Sequence, residues 1–339
     1  MLFFQSVWLA MIAYLTAAFF SVLSNCLCVY FVKNGLIVLD EGTLIMDIFL
    51  HNNLINMFLF SILYNIQKLR GKVQFSVIST FKGKQEIVQF LLFFFPVIAS
   101  IYKTYLLGFV PVTTITISSM VVPFMVWVLA IFLLNEKLKL SYLKYGLLSV
   151  LGFALVNLQK LSGGGWSFGY IHYLIFYIFI VSFGQITMRY YCRKRDHTLQ
   201  AVMAEIMIFF IYALVLLFIR GTFSLKLLLN PLVWVISLCC FMRHVFVITG
   251  VRKASSVVAL EFCGFSKPIF ACILMYFLAS EVPTTTKLIG MAIIAVAIVR
   301  FHALERKAKQ ERKGISDKLF DKNTLEKVQE QNKNIPNQE

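Results

Sequence analysis

The chain has 339 residues, of which 59% are hydrophobic and only 14% are Asp, Glu, Lys or Arg, whereas soluble domains carry about 25% charged residues. Its mean hydropathy is +0.80, and apolar stretches recur at about twenty residues, the length that crosses a hydrocarbon layer of ~30 Å. These values exclude a water-soluble globular protein and predict an all-α polytopic membrane protein.

The net charge of +16 would indicate a nucleic-acid partner in a soluble protein. The positions of the 32 basic residues argue against such a partner here. Most lie in short loops, at helix ends or in the tail after Arg300, and three lie inside apolar segments: Lys103, Arg243 and Lys267. The seven cysteines form no C-x-x-C pair and no ligand spacing, so we expect no disulfide, no metal and no other cofactor.

Ten membrane spans are predicted in chain order. The first is too long for the apolar region of a signal peptide, and no basic residue precedes it. The predicted spans are 5–32, 43–66, 86–107, 112–134, 141–158, 166–188, 199–218, 231–250, 254–279 and 287–299.

Basic residues concentrate in alternate loops, at 68–84, 137–144, 189–195 and 252–253, and in the tail. Because short cytoplasmic loops carry an excess of Lys and Arg, both termini are predicted to be cytoplasmic. The expected location is the plasma membrane or a bacterial inner membrane. Residues 303–339 are rich in Lys, Glu, Asn and Gln with few aromatics, so they predict a disordered basic tail.

An internal repeat divides the predicted spans into two sets of five. A helix with a proline, then a glutamate thirteen positions later and a glycine in the following helix, occurs twice at an offset near 145: Pro123, Glu136 and Gly146, then Pro268, Glu281 and Gly290. An odd number of spans per copy makes the copies cross the membrane in opposite senses, as in alternating-access transporters. The sequence therefore predicts inverted repeats over 1–160 and 161–302, with chance similarity between apolar helices as the alternative.

The repeated motifs resemble the drug/metabolite transporter superfamily, and most closely its EamA-like branch of ten-helix proteins. The resemblance covers about residues 5 to 302 and rests on paired motifs: Gly108 to Thr114 leading to Pro123 and Asn135 to Leu138, and Val251 to Ser255 leading to Lys267-Pro268 and Ser280-Glu281. It implies a basket of helices around a central cavity, with the third, fourth, eighth and ninth helices in its wall, that carries small organic solutes.

Lys267 is the strongest candidate for contact with a substrate. It lies near the middle of the predicted ninth span, next to Pro268, whose missing N–H frees the carbonyl of Gly264 and loosens the turn. We interpret Lys267 as a contact for an anionic group on a solute; the alternatives are an ion pair with another helix and a misplaced span. Pro268 and its counterpart Pro123 are predicted hinges.

Arg243 and Glu261 lie nine residues before and after Arg252, so both would sit ~13 Å from the turn of a helical hairpin. They are predicted to pair, either as packing or in gating and binding. Asp47 and Lys103 form a second possible pair near the outer boundary, unless Lys103 snorkels to the interface. Tyr102 and Ser119 are candidate lining residues of the cavity, with packing as the alternative for Tyr102.

These patterns predict a secondary transporter of a small polar or anionic metabolite, which is not an enzyme. The chain has no nucleotide-binding P-loop, so a gradient or exchange would supply the energy, with proton coupling through Glu205, Glu261 or His51 left open. The expected partners are the solute and the lipid bilayer, with a homodimer left open. Two alternatives remain: a lipid-modifying transferase that uses Asp47 and His51 as an acid/base pair, and a transport-dead scaffold.

Overall fold

All regular secondary structure described here is helical. The computed structural model describes residues 2–37, 45–71, 87, 91, 94–106, 115, 118–119, 121–135, 141–156, 170–193, 198–253, 263–280, 282–304 and 307. In a bilayer, a helix satisfies its own backbone hydrogen bonds, which suits a chain of this composition.

Ten principal helices lie within these ranges, and a short helix, Leu225–Leu229, precedes the eighth. In chain order they are α1 Leu2–Lys33, α2 Ile45–Leu69, α3 Phe94–Leu106, α4 Val122–Leu134, α5 Ser141–Val156, α6 Ile171–Arg193, α7 Thr198–Arg220, α8 Pro231–Lys253, α9 Lys267–Ala279 and α10 Thr285–Leu304.

Six of these helices are long and apolar enough to cross a membrane: α1, α2, α6, α7, α8 and α10. Several such helices in one chain make it an integral multi-pass membrane protein. The other four helices are shorter, so among the described residues length and composition alone identify six of the ten predicted spans.

Two predicted spans are interrupted in the structure. In the span predicted at 112–134, residues 115 and 118 are helical, residues 119 and 121 lie in a turn, and α4 begins at Val122. In the span predicted at 254–279, residues 263–264 are helical, a turn follows at 265–266, and α9 begins at Lys267. The predicted hinge residues Pro123 and Pro268 therefore lie in the first turn of their helices and not in the interior. Proline suits this position because the first N–H groups of a helix have no intrahelical acceptor.

Helices α4 and α9 share their local geometry. Each has 13 residues, carries its proline in the first turn, and ends at a residue in the left-handed conformation. Those residues are Asn135 at φ 52° and Ser280 at φ 53°. The two helices thus match at the proline and at the C-terminal cap, and both positions differ by the offset that the sequence repeat predicts.

Helices from the first half of the chain pack against helices from the second half. Helix α1 packs along α8 and α9, α6 packs along α3 and α4, and α2 packs against α7. At the contact of α6 with α4, the hydroxyl of Ser182 donates to the carbonyl oxygen of Val122 at 3.3 Å. At the contact of α1 with α9, the rings of Phe19 and Phe270 meet edge to face with centroids 5.6 Å apart. The main core cluster lies between α1, α2, α6, α7 and α8.

Candidate functional site

Cationic side chains on two other helices lie close enough to Lys103 to act on its charge. The positive charges of Lys267 on α9 and of Arg243 on α8 repel the ammonium of Lys103 on α3. These are the three embedded cations that the sequence singles out, although they lie up to 164 positions apart in the chain. The fold therefore brings together three predicted site residues that the sequence treats separately.

Two of the three cationic side chains are exposed in this structure, those of Lys103 and Lys267, while that of Arg243 is half-buried. Charged groups at membrane depth are tolerated where they face a bundle interior or a water-filled cavity. In a membrane-spanning bundle, these three side chains would therefore need such surroundings.

A break in the helical backbone positions Lys267. Residues 263–264 are helical, a turn follows at 265–266, and α9 begins at Lys267. The Ser266 N–H donates to the Cys263 carbonyl at 3.0 Å and the Ile269 N–H donates to the Ser266 carbonyl at 3.0 Å, a spacing of three residues that tightens the turn. The break sets Lys267 at the start of α9, close enough for its charge to act on Lys103 of α3.

His244, the residue after Arg243, contacts α7. His244 is buried against α7, where its Nδ1 lies 3.0 Å from Oε2 of Glu205. The sequence analysis considered Glu205 only for proton coupling and did not pair it with His244. A depth count would have found the contact, because Glu205 lies seven residues after the start of α7 and His244 nine before the end of α8, at the same end of an antiparallel pair.

Asp47 has partners that the sequence analysis did not consider. Its Oδ2 lies 3.3 Å from Nη2 of Arg220, and its Oδ1 accepts a hydrogen bond from the Thr222 hydroxyl at 2.9 Å. These groups come from the end of α7, whereas the predicted partner Lys103 belongs to the cation cluster. Asp47 lies in the first turn of α2 and Arg220 in the last turn of α7, so their location at the same end of the bundle was the available signal.

His51 makes hydrogen bonds through both ring nitrogens. Nδ1 lies 2.7 Å from the backbone carbonyl of Asp47, which can only accept, and Nε2 accepts from the Ser224 N–H at 3.0 Å. The ring is therefore a neutral imidazole with its proton on Nδ1, and it also stacks on Phe223 with centroids 5.7 Å apart. His51 joins α2 to the segment between α7 and α8.

The remaining predicted site residues fall in three places. Tyr102 packs against α6, where its hydroxyl donates to the Tyr173 carbonyl at 3.4 Å and its ring meets Phe176 edge to face. Ser119 lies half-buried in the turn before α4, with its N–H bonded to the Ile115 carbonyl. Glu261, the predicted partner of Arg243, lies outside the described residues, as do Glu136 and Glu281.

Comparisons with known proteins give the fold and no family. No protein-family model matches the chain, and no curated protein matches it. A solved crystal structure of a protein superposes on this chain with a TM-score of 0.65 at 13% sequence identity, covering 90% of this chain and 98% of the other. The helical arrangement is thus similar to that of a known structure over nearly the whole length of both chains.

Proposed function

We propose that this protein is a secondary transporter that moves a small anionic organic solute across a membrane by alternating access. The observation that carries the proposal is that Lys103, Arg243 and Lys267, from three helices of a multi-pass membrane protein, lie near one another. The sequence analysis left the solute as polar or anionic, and the grouping of three cations favours the anionic alternative.

The physical argument is the free energy of like charges held close together. At an effective dielectric constant near 20, two unit charges about 8 Å apart repel each other by about 2 kcal/mol. An anion that enters among three such cations removes that repulsion and gains attraction. A site of this kind binds carboxylates or phosphates, and Arg243 adds a planar guanidinium that can hold two oxygens at once.

The pattern of helix contacts supports the further proposal of two inverted five-helix repeats. In such a plan, helices α1 to α5 correspond in order to α6 to α10. Exchanging each helix for its counterpart turns the contacts of α1 with α8 and α9 into those of α6 with α3 and α4. The contact of α2 with α7 is its own counterpart. The matching geometry of α4 and α9 supports the same plan. With ten spans, this is the architecture that the resemblance to EamA-like drug/metabolite transporters implies, and we propose that the chain belongs there.

The basic loops give the proposed orientation. Arg189 and Arg252 lie at the end of the bundle that joins α6 to α7, whereas Asp47 and Arg220 lie at the opposite end. Since basic clusters favour the cytoplasmic side, we place the α6–α7 connection, and with it both termini, in the cytoplasm. The membrane would be a plasma membrane or a bacterial inner membrane.

The contacts of Asp47 and His51 do not favour the transferase alternative. A general acid/base pair needs a carboxylate and an imidazole nitrogen that are free to exchange protons with a substrate. Here both nitrogens of His51 are engaged with backbone groups, and the Asp47 carboxylate contacts Arg220 and Thr222. These two residues hold α2 against α7 and the short helix.

Solute uptake by proteoliposomes tests the proposal. The purified protein is assayed for exchange of radiolabelled glutamate, UMP, glucose 6-phosphate and UDP-glucose, with uridine and glucose as the uncharged counterparts. We expect exchange of at least one anion and none of its uncharged counterpart. Exchange of uridine or glucose at the same rate as the phosphorylated form would contradict the anionic site, and exchange of no probe would contradict the transporter proposal for these solute classes.

A charge variant with a matched control connects the transport to the site. Lys267→Gln should lower uptake at least tenfold, which corresponds to about 1.4 kcal/mol, and Lys267→Arg should retain part of it because the charge remains. Lys144→Gln removes an exposed lysine on α5 outside the cluster and should leave uptake unchanged. Normal uptake by both Lys267 variants would remove this residue from the site.

A further inference from the structure

Glu205 on α7 and His244 on α8 form a buried pair of ionisable groups outside the cation cluster. Oε2 of Glu205 lies 3.0 Å from Nδ1 of His244, and the two side chains are 1% and 2% exposed. The two atoms are close enough for an ion pair but are not aligned for a hydrogen bond, and neither has another hydrogen-bond partner among the described residues. Most buried polar groups are hydrogen-bonded, so a buried pair with this single contact calls for an explanation, and a functional role is one such explanation.

The surroundings of this pair are mainly apolar. Phe209 lies beside the His244 ring with centroids 5.4 Å apart, and the core cluster around the pair includes Met203, Ile206 and Ile248. A change of charge inside such a cluster carries a large desolvation cost. The charge state of the pair is therefore strongly coupled to the arrangement of α7 and α8.

Other titratable and charged groups approach the pair from each neighbouring helix. In the same cluster lie Tyr14 from α1, Tyr64 from α2, and Tyr191 and Cys192 from α6. The charges of Glu205, Arg189 and Arg252 act electrostatically on the Cys192 thiol. The charge of Arg243, the residue before His244, acts electrostatically on Lys103 of α3. Arg189 is bonded to the carbonyl of Val251 and Arg252 to the hydroxyl of Thr198, so both guanidinium groups also serve to join helices at the α6–α7 end.

The position of His244 connects the pair to the cation cluster. Consecutive residues of a helix project about 100° apart, so Arg243 is directed towards Lys103 and Lys267 while His244 is directed towards α7. A movement of α8 that alters the contact between His244 and Glu205 must also move Arg243. Any change of charge at the pair also acts on an anion held by Arg243.

We propose that Glu205 and His244 form the proton-binding site of this transporter, and that protonation of the pair is coupled to binding of the anionic solute. This inference rests on the proposed transport function. Histidine is the side chain whose charge changes near neutral pH. The proton comes from hydronium on the side where the solute enters: an O–H bond of hydronium breaks and an N–H bond forms on the imidazole. After reorientation the N–H bond breaks and water on the other side accepts the proton.

The sign of the coupling follows from the charges. With Glu205 ionised, protonation of His244 changes the net charge of the pair from −1 to 0, which removes a negative charge close to the bound anion. Proton and anion therefore bind cooperatively, and each raises the affinity for the other by the same factor. Coupling of this sign produces symport of a proton with the anion.

The test compares uptake with and without a pH gradient in the same proteoliposomes. Glutamate, UMP, glucose 6-phosphate and UDP-glucose are the probes, exchange at equal pH is measured first, and uptake is then measured with the outside about 1.5 pH units more acidic. In the wild type the gradient should raise the initial rate at least about fivefold, the lower end of typical coupling between two sites. A pH-sensitive dye inside the vesicles should report acidification when the probe is added.

Two single variants of the pair are compared with a histidine control. In Glu205→Gln and His244→Gln, the ratio of uptake with the gradient to uptake without it should fall to about one, and the dye signal should disappear. The control His172→Gln removes an exposed histidine near the start of α6 and should keep the wild-type ratio. A reduced rate with an unchanged ratio would identify the pair as a packing contact and overturn the inference.

The remaining outcomes separate this inference from the transport proposal. Exchange at equal pH in the wild type without any effect of the gradient would leave the transporter proposal standing and overturn the proton site. Loss of exchange in both variants, with protein that elutes normally on size exclusion, would also overturn it, because the pair would then serve solute binding or structure. Absence of exchange for all four probes would reject the transporter proposal, and the proton site with it.

Discussion

Gly152 on α5 and Gly290 on α10 pack backbone against backbone. A Cβ built on Gly152 would lie 2.8 Å from the carbonyl oxygen of Gly290, and one built on Gly290 would lie 2.5 Å from the carbonyl oxygen of Gly152. Without a hydrophobic driving force between helices in lipid, close approach at small residues is a main source of helix association. In the five-helix offset, α5 and α10 correspond to each other, so this contact lies where the two proposed repeats meet.

Gly152→Ala and Gly290→Ala should therefore each separate α5 from α10. The clash is with backbone atoms, which cannot move aside as a flexible side chain can, so we expect a cost of about 1–3 kcal/mol. Thermal unfolding in detergent, followed by intrinsic fluorescence, should show a lower melting temperature for both variants. Gly264→Ala is the control, since a Cβ there would meet none of the described atoms within 4 Å; an equal loss in all three variants would refute the explanation.

Neutralising Lys103 should have opposite effects on the empty and the loaded protein. Lys103→Gln removes a charge that Lys267 and Arg243 repel, so the melting temperature without solute should rise. Because solvent screens the exposed lysines, the gain in the free energy of unfolding should be at most about 1 kcal/mol. The stabilisation that a transported anion confers should fall, because one attractive charge is lost. The comparison requires melting curves with and without the anion identified by uptake. Stabilisation by the anion equal to that of the wild type would exclude Lys103 from the site.

The contact of Asp47 with Arg220 should stabilise the α7–α8 end of the bundle. Asp47 is 0% exposed and Arg220 is 29% exposed, so solvent weakens the interaction and Arg220→Gln should cost about 1–2 kcal/mol. Thr222→Val removes the second donor to the same carboxylate and should lower the melting temperature further in the double variant. Arg220→Lys, which keeps the charge, should lie between the wild type and Arg220→Gln. Equal melting temperatures for all four proteins would show that the contact contributes nothing.

Replacement of His51 distinguishes a stabilising role of this residue from a catalytic one. His51→Phe keeps an aromatic ring beside Phe223 but leaves the Ser224 N–H and the Asp47 carbonyl without their imidazole partner, so the melting temperature should fall by an amount reflecting about 1–3 kcal/mol. Transport measured below the melting temperature should persist. A transferase that uses His51 would lose all turnover in detergent solution, where no sealed compartment exists. That result would restore the enzyme alternative.

Much of the fold was predictable because the hydrocarbon layer dictates the length of its helices. Each predicted span overlaps one of the helices α1 to α10, and six of these helices are long and apolar enough to cross a membrane. Within the described residues, the predicted spans that contain α4 and α9 are broken by a turn before each helix. At Pro123 and Pro268 the apolar pattern continues through the proline, and hydropathy does not report backbone breaks. Pro123 and Pro268 lie in matching first turns at the offset of the repeat, whereas the correspondence of Gly146 with Gly290 stays a prediction. The structure adds a contact that the sequence analysis did not predict, between Gly152 and Gly290.

The candidate site was predictable only as a set of separate residues. The cost of burying charge identified Lys103, Arg243 and Lys267 individually, and depth counting proposed Asp47 as a partner for Lys103. The structure instead places Lys103 with the other two cations and Asp47 with Arg220. Depth along the membrane normal follows from counting residues in one helix, whereas rotation about the helix axis and the choice of neighbouring helix depend on packing.

The sequence by itself determined that this chain is a membrane protein, that three cations lie within apolar segments and that a pattern of proline, glutamate and glycine recurs. Each of these follows from composition and from spacing along the chain. Only the tertiary structure decided which charges meet. It brings Lys103, Arg243 and Lys267 together across 164 residues and sets Glu205 against His244. Such contacts depend on which helices pack together and on how each helix is rotated about its axis. Both depend on the surfaces of two helices at once, so the sequence of one segment does not determine them.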